Sequence, residues 1–241
     1  MRDVVTGFYS GVVRRMISDG LISTSDSVLV VCGGKLDEKV GSEAGFSEVT
    51  ITNLDAGAAH RRQDAENLTY DGNSFDVVAV HAGLHHCYSP HRALLEMYRV
   101  ARKCIIGFEA RESFLMRVAV RFGLTEADER SAISADRKNG GVADTGIPNF
   151  VYRWTERDVY KTVASYDPAR TPKIKFFYDW RIPRTAEISS SACLPRSPNR
   201  CHWLSPKSRQ ASQRVCFCHS QGWPGIANRK RPPTWAVLTT F

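Results

Sequence analysis

Four histidines stand close together at His81, His85, His86 and His91. Histidine titrates near neutral pH, so it is the side chain best suited to take a proton from an acceptor. His85 and His86 directly follow the apolar run FDVVAVHAG, and Glu109 sits near the end of a second apolar run, KCIIGFEA. Residues just past strand ends are where substrates meet an open sheet, so these three are the candidate general bases. The histidines have no cysteine or acid partner at ligand spacing, and no metal site is expected in this part of the chain.

A second chemistry is suggested by VLVVCGGKLDEKV, residues 28–40. Four apolar residues run into Cys32-Gly33-Gly34 and then into a charged, helix-like segment. A strand turning into a helix over glycines lets backbone approach a nucleotide-like ligand. The spacing G-x-G-x-x-G is absent, which disfavours a nicotinamide-dependent oxidoreductase. Asp55 closes the alternating stretch EVTITNLD, and Asp64 opens DAENL. Each is a candidate hydrogen-bond acceptor, and each also has an ordinary reading, as a solvated strand end and as the cap of a following turn.

The elements that must position these residues follow from hydrophobic period. Val28–Cys32, the run from Glu48, Phe75–Gly83 and Lys103–Ala110 read as strands. Leu36–Ala44, Pro90–Ala101 and the stretch ESFLMRVAVRFGL read as helices. Thr155-Glu156-Arg157-Asp158 reads as the capped start of another helix, and KIKFFYDWRI as a further strand. Strands separated by helices imply right-handed crossovers and a mostly parallel sheet, an α/β fold with helices on both faces. Val4, Val5, Phe8, Val12 and Met16 give the N-terminus an amphipathic helical stripe. The charges within it are unlike a signal peptide, and no apolar run approaches a membrane span, so the expected location is cytoplasmic.

Taken in order, Asp64-Ala65-Glu66-Asn67-Leu68, Ser74-Phe75-Asp76, Leu84-His85-His86 and Arg99-Val100 resemble class I S-adenosylmethionine-dependent methyltransferases, and within them the type 11 methyltransferase family. The resemblance covers residues 27–112. It implies a Rossmann-like sheet and S-adenosyl-L-methionine as cofactor. It also implies roles for Cys32, Gly33 and Gly34 beside the methionine portion, Asp55 on the ribose hydroxyls, Asp64 and the Ala65 N–H at the adenine, and His81 with Ala82 beside the sulfonium. Many relatives carry an acid where Val30 or Val31 stands here, and Asp37 or Glu38 is the expected substitute. The implied activity is methyl transfer to a small-molecule acceptor, with a non-catalytic or impaired binding protein of the same fold as the alternative.

Composition divides the chain. Residues 186–241 hold eight Lys/Arg against one acid, so this tail carries +7 of the formal +8 and the first 185 residues only +1. The basic balance therefore says nothing about nucleic acid as a partner of the main domain. The seven cysteines also divide, with Cys193, Cys201, Cys216 and Cys218 in the tail, and an odd number argues against a disulfide framework. Three units are expected: an N-terminal helical segment 1–26, a methyltransferase-like domain 27–185 with its acceptor region at 111–172, and a Cys/Pro/Ser-rich tail 186–241. The tail is read as disordered or as out-of-frame translation. The antiparallel strand that the fold requires after Lys173–Ile182 is not found there, so the sheet is expected to be incomplete at its C-terminal side.

Overall fold

A computed structural model of the chain describes residues 4–55, 61–130, 141–178 and 214–219. Seven strands form one sheet: β1 Ser27–Val31, β2 Glu48–Asn53, β3 Arg61–Arg62, β4 Phe75–His81, β5 Ala101–Ala110, β6 Ile174–Phe177 and β7 Arg214–His219. Their order across the sheet is β3-β2-β1-β4-β5-β7-β6. The first five run parallel, and β7 lies antiparallel between β5 and β6. The helices are α1 Val4–Ser18, α2 Lys35–Ala44, α3 Pro90–Val100, α4 Phe114–Arg121 and α5 Glu156–Tyr166.

Parallel strands buried on both faces read as continuous apolar runs, and alternate residues feed alternate cores. Leu29, Val31, Val78, Val80 and Ile105 pack with Leu94 and Met97 of α3 and Val159 of α5. Val28, Val30, Val77, Ala79 and Ile106 pack with Tyr9, Val12, Val13 and Met16 of α1 and with Val40 of α2. Local chemistry stops the helices where the sequence indicates. Gly45 ends α2 in the left-handed region at φ 81°. Thr155 and Asp158 form a reciprocal capping box on α5: Asp158 N–H donates to Thr155 Oγ1 at 3.0 Å, and Thr155 N–H to Asp158 Oδ2 at 3.0 Å.

The amino ends of the central strands are closed by charge. Ser27 N–H and Oγ–H both donate to Asp76 Oδ2 at 3.1 Å, and Asp76 N–H returns a bond to Ser27 Oγ at 3.0 Å. Arg102 donates to the same carboxylate at 3.0 Å, and Lys103 pairs with Asp26. These contacts hold β1, β4 and β5 in register at one end, which leaves the carboxyl ends to carry the open cleft. The Asp76 carboxyl is held below its ordinary range: partial burial opposes this, but the Ser27 donors and the Lys103 and Arg102 charges outweigh it.

Two expectations change. The strand expected over 173–182 is described only as Ile174–Phe177, the rest of it from residue 179 lying outside the described residues. The missing antiparallel strand is supplied by Arg214–His219, whose pairing runs from Ile105↔His219 to Ala110↔Arg214 on one side and from Ile174↔His219 to Phe177↔Cys216 on the other. Its sequence signal is short: Val215 and Phe217 alternate with cysteines inside a basic stretch whose composition hides them. The other tail residues lie outside the described ones. Among the described residues, no helix is long and apolar enough to cross a membrane.

Replacing Asp76 by Ala removes a carboxylate that accepts two Ser27 hydrogens and an arginine. The expected loss is about 1.5–3 kcal/mol of stability in urea denaturation, against about 1 kcal/mol for Ser27→Ala. Equal, negligible losses would show that this clamp does not hold the register.

Candidate functional site

A cavity of about 590 Å³ opens at the carboxyl ends of the parallel strands, a size typical of small-ligand sites. Cys32, Gly33 and Gly34 line it after β1, with Lys35 at the start of α2, Asn53 at the end of β2 with Leu54 after it, and Ala82 and Gly83 after β4. Gln63 to Glu66 form one wall, His86 to Tyr88 another, and Ala143 reaches in from the later part of the chain. Ligands bind open α/β sheets at this end, where the strand order reverses on either side of β1.

The floor is tight backbone. Cys32, Ala82 and Ala143 all adopt left-handed conformations, at φ 52°, 51° and 48°, and all three line the cavity. Such conformations are costly for residues other than glycine and concentrate at functional sites. A side chain on Gly33 would press on Val30 Cγ1 at 2.8 Å and Ile51 Cγ2 at 2.9 Å. One on Gly83 would overlap Cys32 Cβ. The turn is held from β2, where Gly33 N–H donates to Thr52 O at 2.9 Å and Asn53 Nδ2–H to Gly33 O at 3.0 Å.

On the opposite wall, Asp64 caps its own turn, its Oδ1 accepting the Glu66 N–H at 2.8 Å. Arg99 fastens the segment to α3, donating to Leu68 O and Tyr70 O at 2.8 Å and pairing with Glu96. The ordinary reading of Asp64 as a cap and its place at the cavity are thus both realised.

The proton-bearing groups form a connected set. Glu109 is fully buried. Its Oε1 accepts the Gly83 and Leu84 N–H groups at 2.9 and 2.8 Å, and its Oε2 meets His85 Nδ1 at 3.0 Å. The other ring nitrogen of His85 lies 3.5 Å from Glu129 Oε1, and His86 Nε2 lies 3.7 Å from Glu129 Oε2. Burial pulls the His85 pKa down, but the hydrogen bonds and charges of Glu109 and Glu129 prevail and push it up to about 10. The His86 pKa is lowered, by burial first and by the His85 charge second. Glu129 is held low despite burial because both histidines favour its carboxylate.

This geometry sorts the sequence candidates. Cys32, Gly33, Gly34, Asp64 and Ala65 are brought together around the cavity. Asp55 lies one residue beyond the lining Leu54, with its N–H donating to Asn53 Oδ1 at 3.4 Å. His81 is not among the lining residues; its ring stacks on Tyr9 of α1, centroids 4.9 Å apart. Strand alternation explains this, since His81 shares a face with Val77 and Ala79, the face that α1 covers.

Of the three proposed bases, only His86 faces the cavity. Glu109 has no exposed surface and both oxygens hydrogen-bonded, and His85 lies between the carboxylates of Glu109 and Glu129. Both hold the turn that bears His86. Asp37 does not replace the missing acid at Val30 or Val31. It is buried at the start of α2, where its Oδ2 accepts the Gly34 N–H at 2.9 Å, and burial raises its pKa.

His91 is also accounted for by packing, bonded to Tyr152 Oη at 3.1 Å and set against Trp154. Within the expected acceptor region 111–172, the stretch IPNFVYRWTERDVY buries Asn149, Trp154 and Val159 and so serves mainly as core, while Phe150 is exposed. Sequence reasoning missed Glu129, which sits far along the chain from the histidines. It also missed Asn53, Gln63, Tyr88 and Ala143, which carry no local signal beyond their positions near strand ends.

Two outcomes test this geometry. Gly83→Ala is expected to cost about 1–3 kcal/mol through overpacking against Cys32, read as a fall in Tm. His85 has a folded pKa of about 10 against 6.5 for an ordinary histidine. Its contribution to stability is therefore complete below pH 6.5 and lost as pH rises through about 10. Thermal unfolding should weaken across that window in the wild-type chain, and His85→Gln should flatten the slope. An unchanged slope would remove the charged His85 from the account.

Residues 38–104 match the family model described as a methyltransferase domain. No curated protein matches the chain significantly. Among solved structures, the chain is similar to the YcgJ protein from Bacillus subtilis, with 12% identity over 70% of each chain and a TM-score of 0.49. It is similar also to a SAM-dependent methyltransferase from Methanosarcina mazei, with 15% identity over 70% of this chain and 90% of that one and a TM-score of 0.47. A third is the magnesium protoporphyrin IX methyltransferase of Synechocystis, solved with bound SAH, with 15% identity over 66% and 71% of the two chains and a TM-score of 0.45. Five parallel strands with an antiparallel β7 inserted before β6 give the chain a mostly parallel, Rossmann-like α/β sheet, and within it residues 38–104 are similar to a methyltransferase domain.

Proposed function

We propose that the chain transfers a methyl group from S-adenosyl-L-methionine to a small-molecule acceptor. The observation that carries this reading is the convergence, around one cavity, of the glycine turn after β1, the end of β2 and the Asp64–Ala65 corner. The residues present fit the cofactor: the floor is glycine and backbone, and Asp64 and Glu66 offer carboxylates on one wall. When bound, the cofactor supplies an electrophilic methyl on a sulfonium.

The chain's own residues then bind, orient and exclude water. Cys32, Gly33 and Gly34 take the methionine portion, with Lys35 at the start of α2 meeting its carboxylate. Asp55 accepts the ribose hydroxyls, a task suited to an acceptor-only carboxylate. Asp64 and the Ala65 N–H meet the adenine edge. Ala82 and Gly83, rather than His81, stand beside the sulfonium. His86 faces the acceptor and takes its proton, while Glu109 and His85 hold the turn that presents it. In-line displacement asks chiefly for such positioning.

A second reading is a protein of the same fold that binds the cofactor without transferring its methyl. It is supported by Val30 and Val31, both buried in the cores where relatives carry an acid.

Calorimetric titration with S-adenosylhomocysteine is expected to show one site. Asp55→Asn should weaken it about 10- to 100-fold, the loss of charged hydrogen bonds of about 1.5–3 kcal/mol. Asp64→Asn should weaken it about 10-fold while keeping the turn, since the amide oxygen still accepts the Glu66 N–H. No heat up to about 1 mM ligand, a binding free energy short of about 4 kcal/mol, would overturn the proposal. Binding with no consumption of methyl donor across an acceptor panel would favour the second reading. With an acceptor in hand, His86→Ala should lower kcat far more than it raises KM.

A further inference from the structure

The histidines lack an acid partner in their own stretch of sequence, but the fold brings one to them. One ring nitrogen of His85, one of His86 and a carboxylate oxygen of Glu129 all lie within 4.8 Å of one another. His85 Nε2 lies 3.5 Å from Glu129 Oε1 and His86 Nε2 lies 3.7 Å from Glu129 Oε2, so the two oxygens of one carboxylate each approach one ring near the spacing of about 3.3 Å between ligand atoms around a tetrahedral ion with bonds of about 2.0–2.1 Å. We infer that His85, His86 and Glu129 form a binding site for one divalent transition-metal ion of the zinc class.

Three further features fit this. His85 turns its other nitrogen, Nδ1, to Glu109 Oε2 at 3.0 Å, which leaves Nε2 facing Glu129, and a metal ion there takes the place of the proton that Nε2 carries in the ion-free chain. A carboxylate behind a ligating histidine is the usual outer support of such centres. Glu109 is itself anchored by the Gly83 and Leu84 N–H groups, so the support is rigid. Glu129 is held from its own backbone, its N–H donating to the carbonyl of the buried Asn149 at 3.0 Å, while Asn149 Nδ2–H donates to His85 O at 3.3 Å. One short segment thus fixes both a ligand and the turn that bears the other two.

Two imidazoles and one carboxylate are a borderline donor set suited to zinc, cobalt or iron rather than to magnesium or calcium. Three protein ligands leave at least one position for water or an acceptor oxygen. His86 also lines the cavity, which sets the site beside its wall. The inference does not rest on the methyl-transfer reading, and binding of metal and of S-adenosylhomocysteine are measured separately. With metal on His86 Nε2, that nitrogen no longer serves as a base, so in the loaded chain the acceptor's proton would have to leave by another route.

The test uses Co²⁺ as probe on the full chain. The expected result is one ion per chain, with visible d–d bands and without thiolate-to-cobalt charge transfer. Zn²⁺ should displace it. Glu129→Gln and His86→Ala, each checked for native circular dichroism, should weaken binding more than about 100-fold, beyond the 10- to 100-fold expected of an outer-shell partner. If either variant fails to fold, the wild-type chain still decides: Zn²⁺ should protect His86 from carbethoxylation by diethylpyrocarbonate, mapped by mass spectrometry. Thiolate bands that persist in both variants would assign the metal to the tail cysteines and overturn the inference. Absence of binding, or no protection of His86, would do the same.

Discussion

Glu109 brings a carboxylate into the interior at the end of β5 and leaves it no contact with water. A buried charge is tolerated only when it is paired and fully hydrogen-bonded. Here the Gly83 and Leu84 N–H groups and the His85 ring meet that demand. The consequence is geometric. The end of β4 must turn sharply, which puts Ala82 in a left-handed conformation and Gly83 against Cys32. The single helical turn that follows aims His85 inward and His86 toward the cavity. One satisfied carboxylate therefore joins β4, β5 and the cavity wall.

The two ends of the sheet divide the work. At the amino ends, Asp26, Ser27, Asp76, Arg102 and Lys103 close the strands with ion pairs and reciprocal hydrogen bonds. At the carboxyl ends, three residues in unfavourable conformations surround a cleft. One end is closed by charge, and the strained end is left open as a cavity. Strain of this kind persists only where the surrounding structure over-determines it; for the turns at Cys32 and Ala82, the bonds of Gly33 with Thr52 and Asn53 and of Gly83 and Leu84 with Glu109 do so.

Much of this was legible in the residues. The apolar runs of β1, β4 and β5 and the stripe on α3 follow from local period, because a buried parallel strand needs no polar face. The Thr155–Asp158 cap and the Gly45 stop are also local chemistry. Of the ordered motifs from Asp64 to Val100, Asp64, Ala65, Glu66 and His86 line the cavity. The strand Arg214–His219 was missed because its two alternating apolar residues are too few to stand out in a basic, cysteine-rich stretch. His81 was misjudged because its closeness to His85 along the chain outweighed strand alternation, which turns it toward α1.

By itself, the sequence determined the alternation of strands and helices, the glycine turn and the identity of the groups near the strand ends. Those features depend on neighbours within a few residues. Only the tertiary structure decided which carboxylate meets which histidine. Glu109 and Glu129 come from segments well beyond the turn that bears His85 and His86, and their meeting depends on sheet order and on the Asn149 segment crossing above. Burial and pairing then changed their chemistry: the two carboxylates push the His85 pKa up, while burial and the His85 charge pull that of His86 down beside the cavity. Such differences arise from desolvation and from pairing across the fold, which no local spacing encodes.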